Sequence, residues 1–145
     1  MSLNGMKPIQ IFPRPLPEAL PFYQSPAACG FTSPAADYLQ DTLSLDQLLI
    51  RHPAATFFAR AQGRSMEGAG IFDGDILIID RSLTPGDGDV ILALLDGELI
   101  VKRLAYCHGK PELHSENPDY PGIKLDSEEG LNVWGVVTEV IHHLR

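Results

Sequence analysis

Short apolar runs separated by glycine and proline turns dominate the chain from residue 54 onward. The runs predict strands at 56–61, 76–79, 90–95, 98–106, around Leu113, 123–125 and 131–141. An Asp96-Gly97 pair between two apolar runs is a strong signal for a tight hairpin. Many short strands joined by turns predict a mainly β fold, with mostly antiparallel strands forming a barrel-like core.

Residues 1–34 follow a different pattern. Seven of the chain's 12 prolines fall there, and proline at this density removes backbone donors and disfavours helix. The same stretch carries apolar side chains such as Phe12, Phe22 and Phe31, so it can adhere to a folded surface. We therefore predict a flexible N-terminal arm over residues 1–34 and a folded domain over residues 35–145.

Two short helical patterns lie where the arm ends. Ser33-Pro34 predicts a helical turn over residues 35–39, because serine caps and proline fits the first turn. Ser44 predicts the cap of a second helix over residues 45–50, which stops before Pro53. Neither pattern is long enough for a DNA-reading helix-turn-helix unit with its own core.

The charge balance is acidic, with 19 Asp and Glu against 11 Lys and Arg. Such a balance argues against direct sequence-specific DNA binding, because that requires a basic surface. The two cysteines, Cys29 and Cys107, do not resemble a disulfide framework, which favours the cytoplasm. No apolar run approaches the roughly 20 residues needed to cross a bilayer, so no membrane association is expected.

Ser65 is the first candidate for chemistry. It follows the Gly63 turn but lacks a glycine two positions later, which excludes the esterase elbow. None of the five histidines is placed by spacing as its partner, and His142-His143 is interpreted as a solvated terminus. Dinucleotide, P-loop and zinc motifs are absent, so neither a cofactor nor a metal is expected. Taken alone, Ser65 favours a turn residue.

Lys102 is the second candidate. Strand alternation places it on the same face as Ile100 and Leu104. Its ammonium group then either extends to water or is desolvated, and desolvation lowers a lysine pKa toward that of a general base. A desolvated amine beside a serine hydroxyl forms a Ser-Lys dyad. Both alternatives stay open at this point.

Several stretches in a specific order carry a family resemblance. They are Ala28-Cys29-Gly30-Phe31, Ser33-Pro34-Ala35-Ala36, His52-Pro53-Ala54-Ala55-Thr56, Gly63-Arg64-Ser65-Met66, Asp73-Gly74-Asp75, Val101-Lys102-Arg103-Leu104 and Val133-Trp134-Gly135-Val136-Val137. From about residue 28 to its end, the chain resembles the LexA/UmuD family of self-cleaving serine peptidases.

The resemblance implies a role for each matching residue. Ser65 would be the nucleophile, Lys102 its base, and Cys29-Gly30 the scissile bond. Backbone N–H groups of Ser65 and Met66 would form the oxyanion hole. Arg64 departs from the family pattern, in which a small or acidic residue is more usual before the serine.

The resemblance also implies partners. It implies a homodimer whose cleavage is stimulated by the activated recombinase filament on single-stranded DNA. The cleaved form would bind the catalytic subunit of an error-prone translesion DNA polymerase in the SOS response.

Three alternatives compete with this interpretation. The first is a non-cleaving interaction module with a vestigial dyad, and the second is a peptidase acting in trans, like signal peptidase. The third is a truncated LexA-like repressor, although only 28 residues precede Cys29, with Lys7 and Arg14 as their basic residues.

Overall fold

The computed structural model describes residues 19–23, 39–125 and 129–145. These residues fall into two compact units, one ending at Arg51 and the other beginning at His52. The Cys29-Gly30 bond, most of the predicted arm and residues 35–38 of the predicted helical turn lie outside the described residues. The division between arm and domain at residue 34 therefore stays a prediction.

The unit that ends at Arg51 contains a two-stranded sheet and one short helix. Strand β1 (Leu20–Tyr23) pairs antiparallel with β2 (Leu39–Leu43), and helix α1 spans Leu45–Leu49. The predicted cap is confirmed, since the Ser44 side chain accepts the N–H of Gln47 at 3.5 Å. The prediction of helix at Leu39 was wrong. Leu39 instead begins β2 and pairs with Tyr23 of β1, so its backbone belongs to a strand ladder and not to a helix.

The unit that begins at His52 is built on a seven-stranded sheet. Its strands are β3 (Thr56–Arg60), β4 (Ile76–Asp80), β5 (Val90–Leu95), β6 (Glu98–Cys107), β7 (Lys110–His114), β8 (Ile123–Lys124) and β9 (Asn132–Ile141). Their order in the sheet is β3-β4-β9-β5-β6-β7-β8, and every pairing is antiparallel. The prediction of a mainly β, antiparallel fold is confirmed.

Two tight hairpin turns fix the register of the central strands. Asp96 and Gly97 have φ angles of 51° and 80°, and His108 and Gly109 have 52° and 76°. Positive φ at both central residues is typical of two-residue hairpins, so the Asp96-Gly97 prediction is confirmed. For the second turn, the sequence His108-Gly109-Lys110-Pro111, which lies before the predicted strand around Leu113, predicts a turn that extends through Pro111. Instead Lys110 begins β7, because the turn is complete after two residues.

The central strands carry apolar side chains on both faces. Along β5, Leu92 belongs to one buried cluster, whereas Ile91 and Ala93 belong to a second. Along β6, Val101 belongs to the first cluster, and the second contains residues of the Lys102 face. Lys102 therefore extends from an apolar face, as the alternation predicted.

Two histidine–aspartate pairs hold the ends of β4. Asp75 precedes the strand and lies 2.6 Å from the ring of His142. Asp80 ends the strand and lies 2.6 Å from the ring of His52. Hydrogen bonds from Ser82 and from His52 lower the pKa of Asp80 to about 2. His142 is exposed, as the interpretation of a solvated terminus predicted, but one nitrogen of its ring also pairs with the buried Asp75.

Candidate active site

Ser65 lies in the loop that joins β3 to β4. Gly63 adopts a φ of 94°, and its N–H donates to the Asp73 carboxylate at 2.7 Å. Such a positive φ favours glycine, so the turn that presents Ser65 depends on this residue. Ser65 is 3% exposed, and the next residue, Met66, is fully buried in the first apolar cluster. The buried methionine anchors the backbone that carries the hydroxyl.

Asp75, at the end of the same loop, holds the loop through its carboxylate and its backbone carbonyl. Asp75 accepts the N–H of Phe72 at 2.8 Å and pairs through its other oxygen with His142. Its backbone carbonyl accepts the N–H of Ala61 at 2.7 Å, which draws the two ends of the loop together. The serine loop is thus fixed to β4 and to the end of β9.

Lys102 is buried in the middle of β6, opposite Ile91. It is 8% exposed, and burial lowers the pKa of its ammonium group, whereas the Glu98 carboxylate acts in the opposite direction. Its Nζ donates to the Ser115 hydroxyl at 2.7 Å. Of the two alternatives that the sequence left open, these contacts favour the desolvated amine.

Three residues that follow β7 connect the lysine to the serine loop. We refer to Ser115, Glu116 and Asn117 as the bridging segment. The N–H of Glu116 donates to the Ser65 carbonyl at 2.8 Å, and the Glu116 carbonyl accepts the N–H of Gly68 at 2.7 Å. The Asn117 amide donates to the Arg64 carbonyl at 2.9 Å. One short segment therefore contacts Lys102 at its first residue and the backbone around Ser65 at the next two.

These contacts also orient the peptide groups on either side of Ser65. The carbonyls of Arg64 and Ser65 are both held by the bridging segment. A planar trans peptide directs its N–H opposite to its carbonyl. The N–H groups of Ser65 and Met66 are thereby fixed to point away from Asn117 and Glu116. Backbone donors that are fixed in advance are a general requirement of an oxyanion hole, because they must be set before charge develops.

Two arginines beside the site form ion pairs. Arg103 forms an ion pair with Glu116 and also donates to the Gly88 carbonyl at 2.6 Å, which ties the bridging segment to β6. Arg64 pairs with Glu67 at 2.7 Å, and this hydrogen bond raises the pKa of Arg64. The Arg64 side chain is 71% exposed, so the charge that departs from the family pattern extends into solvent.

The sequence identified the two candidate side chains but missed the segment that connects them. Ser65, Lys102 and Met66 lie in the described residues, and both polar candidates are buried. A two-residue turn at 108–109 would have indicated Ser115, because the pairing of Arg103 with His114 leaves the next residue beside Lys102, whose amine it contacts. Across residues 19–23, 39–125 and 129–145, no cluster of His, Cys, Asp or Glu is placed to hold a metal ion. In those same ranges no helix is long and apolar enough to span a bilayer.

Gly68 offers a test of the bridging segment. A Cβ at this position would lie 2.5 Å from the Glu116 carbonyl oxygen, so Gly68→Ala must displace the segment. We expect a loss of about 1–3 kcal/mol in the free energy of unfolding, measured by denaturant titration. Gly86→Ala is the matched control, because its Cβ would meet nothing closer than 3.8 Å. Equal free energies of unfolding for the two variants would show that the bridging segment can move without loss of stability.

Known proteins resemble this chain over most of its length. The Peptidase S24-like family model matches residues 21–138. Protein MucA of Salmonella typhimurium is 42% identical over 127 residues, which cover 86% of this chain and 86% of MucA. Protein SamA of Salmonella typhimurium is 42% identical over 133 residues, covering 90% of this chain and 91% of SamA. The LexA repressor of Proteus mirabilis is 35% identical over 128 residues, covering 88% of this chain and 62% of the repressor. The chain belongs to the Peptidase S24-like family, as a UmuD-like self-cleaving serine peptidase of SOS mutagenesis.

Proposed function

We propose that Ser65 and Lys102 form the catalytic dyad and that they cut the Cys29-Gly30 bond of this chain. The observation that carries the proposal is the burial of Lys102, which lowers its pKa, at one end of the segment that holds the Ser65 backbone. A lysine amine must lose its proton to act as a base, and burial favours that loss.

The reaction proceeds in two halves. In the first, the neutral amine of Lys102 takes the Ser65 proton while Oγ attacks the carbonyl carbon of Cys29. The N–H groups of Ser65 and Met66 stabilise the resulting oxyanion. Removal of one such donor commonly raises the activation barrier by about 3 kcal/mol. The bond to the Gly30 nitrogen then breaks, and the Lys102 ammonium returns a proton to the departing amine.

Hydrolysis of the ester completes the cycle. Water attacks the acyl group on Ser65 and gives a proton to Lys102. Ester cleavage frees the Cys29 carboxyl group and returns a proton to Ser65. The bond is tethered to its own catalyst, so the effective concentration is high and no separate substrate must bind. The rate then depends on how often the arm over residues 1–34 occupies the site in the domain over residues 35–145.

We further propose the partners implied by the resemblance. Contact with the activated recombinase filament on single-stranded DNA favours the docked arm and so accelerates cleavage. The shortened homodimer binds the catalytic subunit of a translesion DNA polymerase in the cytoplasm. With 19 acidic against 11 basic side chains, the chain reaches DNA through these partners and not by direct sequence-specific binding.

The filament tests this regulation. We expect purified chain to cleave at least about tenfold faster with recombinase, single-stranded DNA and a slowly hydrolysed ATP analogue than with recombinase alone. Ser65→Ala in the same mixture controls for contaminating protease. A chain that stays intact under all conditions and still binds the polymerase subunit would favour the non-cleaving interaction module.

A further inference from the structure

The amine of Lys102 has a hydroxyl partner that the dyad does not include. Its Nζ donates to Ser115 Oγ at 2.7 Å, and Lys102 is 8% exposed. The β6–β7 ladder ends with the pair of Arg103 and His114, and the same register continued by one residue brings Ser115 beside Lys102. The contact is therefore a consequence of the hairpin register.

The position of Ser115 is fixed from two sides. β7 ends immediately before Ser115. The N–H of the following residue, Glu116, donates to the Ser65 carbonyl, and the Glu116 carbonyl accepts the N–H of Gly68. Glu116 also pairs with Arg103. A hydroxyl held in this way cannot follow the lysine if the amine moves, so it acts as a fixed reference point for Nζ.

A general base must direct its lone pair at the proton it removes. An ammonium group has three N–H donors, whereas a neutral amine has two donors and one lone pair. If one N–H is held by an acceptor, rotation about the Cε–Nζ bond is restricted and the lone pair is directed. A serine hydroxyl can also rotate, and so it accepts from either protonation state of the amine.

We propose that Ser115 is a positioning residue for Lys102, whose hydroxyl holds the amine in the orientation that accepts the Ser65 proton. This inference rests on the proposed roles of Ser65 and Lys102. It makes the bridging segment a common support for nucleophile and base, because adjacent residues fix the Ser65 backbone and the Lys102 amine.

Removal of the hydroxyl has two separable consequences. The amine loses its orientation, so the cleavage rate at its alkaline plateau falls by roughly 10- to 100-fold in Ser115→Ala. The buried ammonium also loses an acceptor, which lowers the pKa of Lys102 further and moves the midpoint of the pH–rate profile to lower pH. Glu98 stays in place in this variant, and the charges of Glu116 and Arg103 remain paired with each other.

The experiment compares pH–rate profiles of self-cleavage for wild type, Ser115→Ala and Ser115→Thr. We expect a lower plateau and an acid-shifted midpoint in Ser115→Ala, with both restored toward wild type in Ser115→Thr because threonine retains the hydroxyl. A profile of Ser115→Ala that matches wild type in plateau and midpoint would overturn the proposal.

A second measurement separates this inference from the dyad itself. In the Ser65→Ala background, the Lys102 amine is titrated by NMR of ¹³Cε-labelled lysine, with and without Ser115→Ala. An acid shift on loss of the hydroxyl supports the Ser115–Lys102 coupling even in a chain that does not cleave, and identical titrations overturn it. A wild-type chain that never cleaves contradicts the proposed dyad, whereas the titration alone decides on Ser115.

If Ser115→Ala does not fold, the titration is carried out with Ser115→Thr and Ser115→Cys instead. Cysteine is the weaker hydrogen-bond acceptor, so Ser115→Cys is expected to move the titration midpoint of Lys102 to lower pH, and Ser115→Thr is expected to leave it in place.

Discussion

Replacing Ser65 by alanine is expected to stop self-cleavage, with a fall in rate of roughly 10⁴-fold or more. The hydroxyl is the proposed nucleophile, and no other group replaces the bond it forms. The fold should be retained, because the contact of Ser65 with the bridging segment is made by its backbone carbonyl. Intact-mass measurements over time report the cleavage, and circular dichroism reports the fold.

Ser82→Ala is the matched control for this prediction. Ser82 lies in the same unit, and its hydroxyl donates to Asp80 at 2.6 Å, away from the bridging segment. We expect this variant to cleave at a rate close to wild type. Cleavage that continues in Ser65→Ala at the wild-type rate would assign the nucleophile to another residue.

Replacing Lys102 is expected to have an effect of similar size. Lys102→Ala removes the proposed base, and Lys102→Arg retains the charge but cannot lose a proton at any pH used in the assay. Both variants should therefore lose cleavage by about 10³-fold or more. A Lys102→Arg variant that cleaves well would show that positive charge, and not proton transfer, is what the site needs.

The cleavage rate of the wild-type chain should also depend on pH through the protonation of Lys102. Only the neutral amine accepts the Ser65 proton, so the rate should rise with pH as Lys102 is deprotonated. Because burial lowers its pKa, the midpoint should lie below the ordinary lysine value of about 10.4. Lys110→Ala is the control, since Lys110 is exposed at the start of β7 and should leave the profile unchanged. A midpoint at or above the ordinary value would contradict a desolvated base.

Much of the fold could be predicted from the sequence because its turns carry specific chemistry. Asp96-Gly97 favours positive φ at two successive residues, which predicted the β5–β6 hairpin, and alternation along the strand then predicted the face on which Lys102 lies. The second turn was assigned two residues too many, because Pro111 was interpreted as part of it. The N–H of Tyr106, opposite Pro111, donates to Asp87 at 2.8 Å, so a proline is accommodated in β7.

The supporting contacts of the candidate site could not be predicted in the same way. Residues 115–117 follow a strand and precede Pro118, so no apolar period marks them. Their partners are distant in sequence, since Asn117 lies 53 positions after Arg64. The contact of Asp75 with His142, which supports the same loop, spans 67 positions. Contacts of this kind depend on the folded arrangement of strands, and local propensity does not encode them.

One measurement tests the central proposal most directly. Purified wild-type chain is incubated at neutral and at mildly alkaline pH, and the masses of its products are determined together with the N-terminal sequence of the larger one. We predict a fragment that begins at Gly30, that forms faster at the alkaline pH, and that is absent from Ser65→Ala and Lys102→Ala. A chain that stays intact at every pH and with the activated filament, or a cut that persists in both variants, would contradict the assignment of the dyad and its bond.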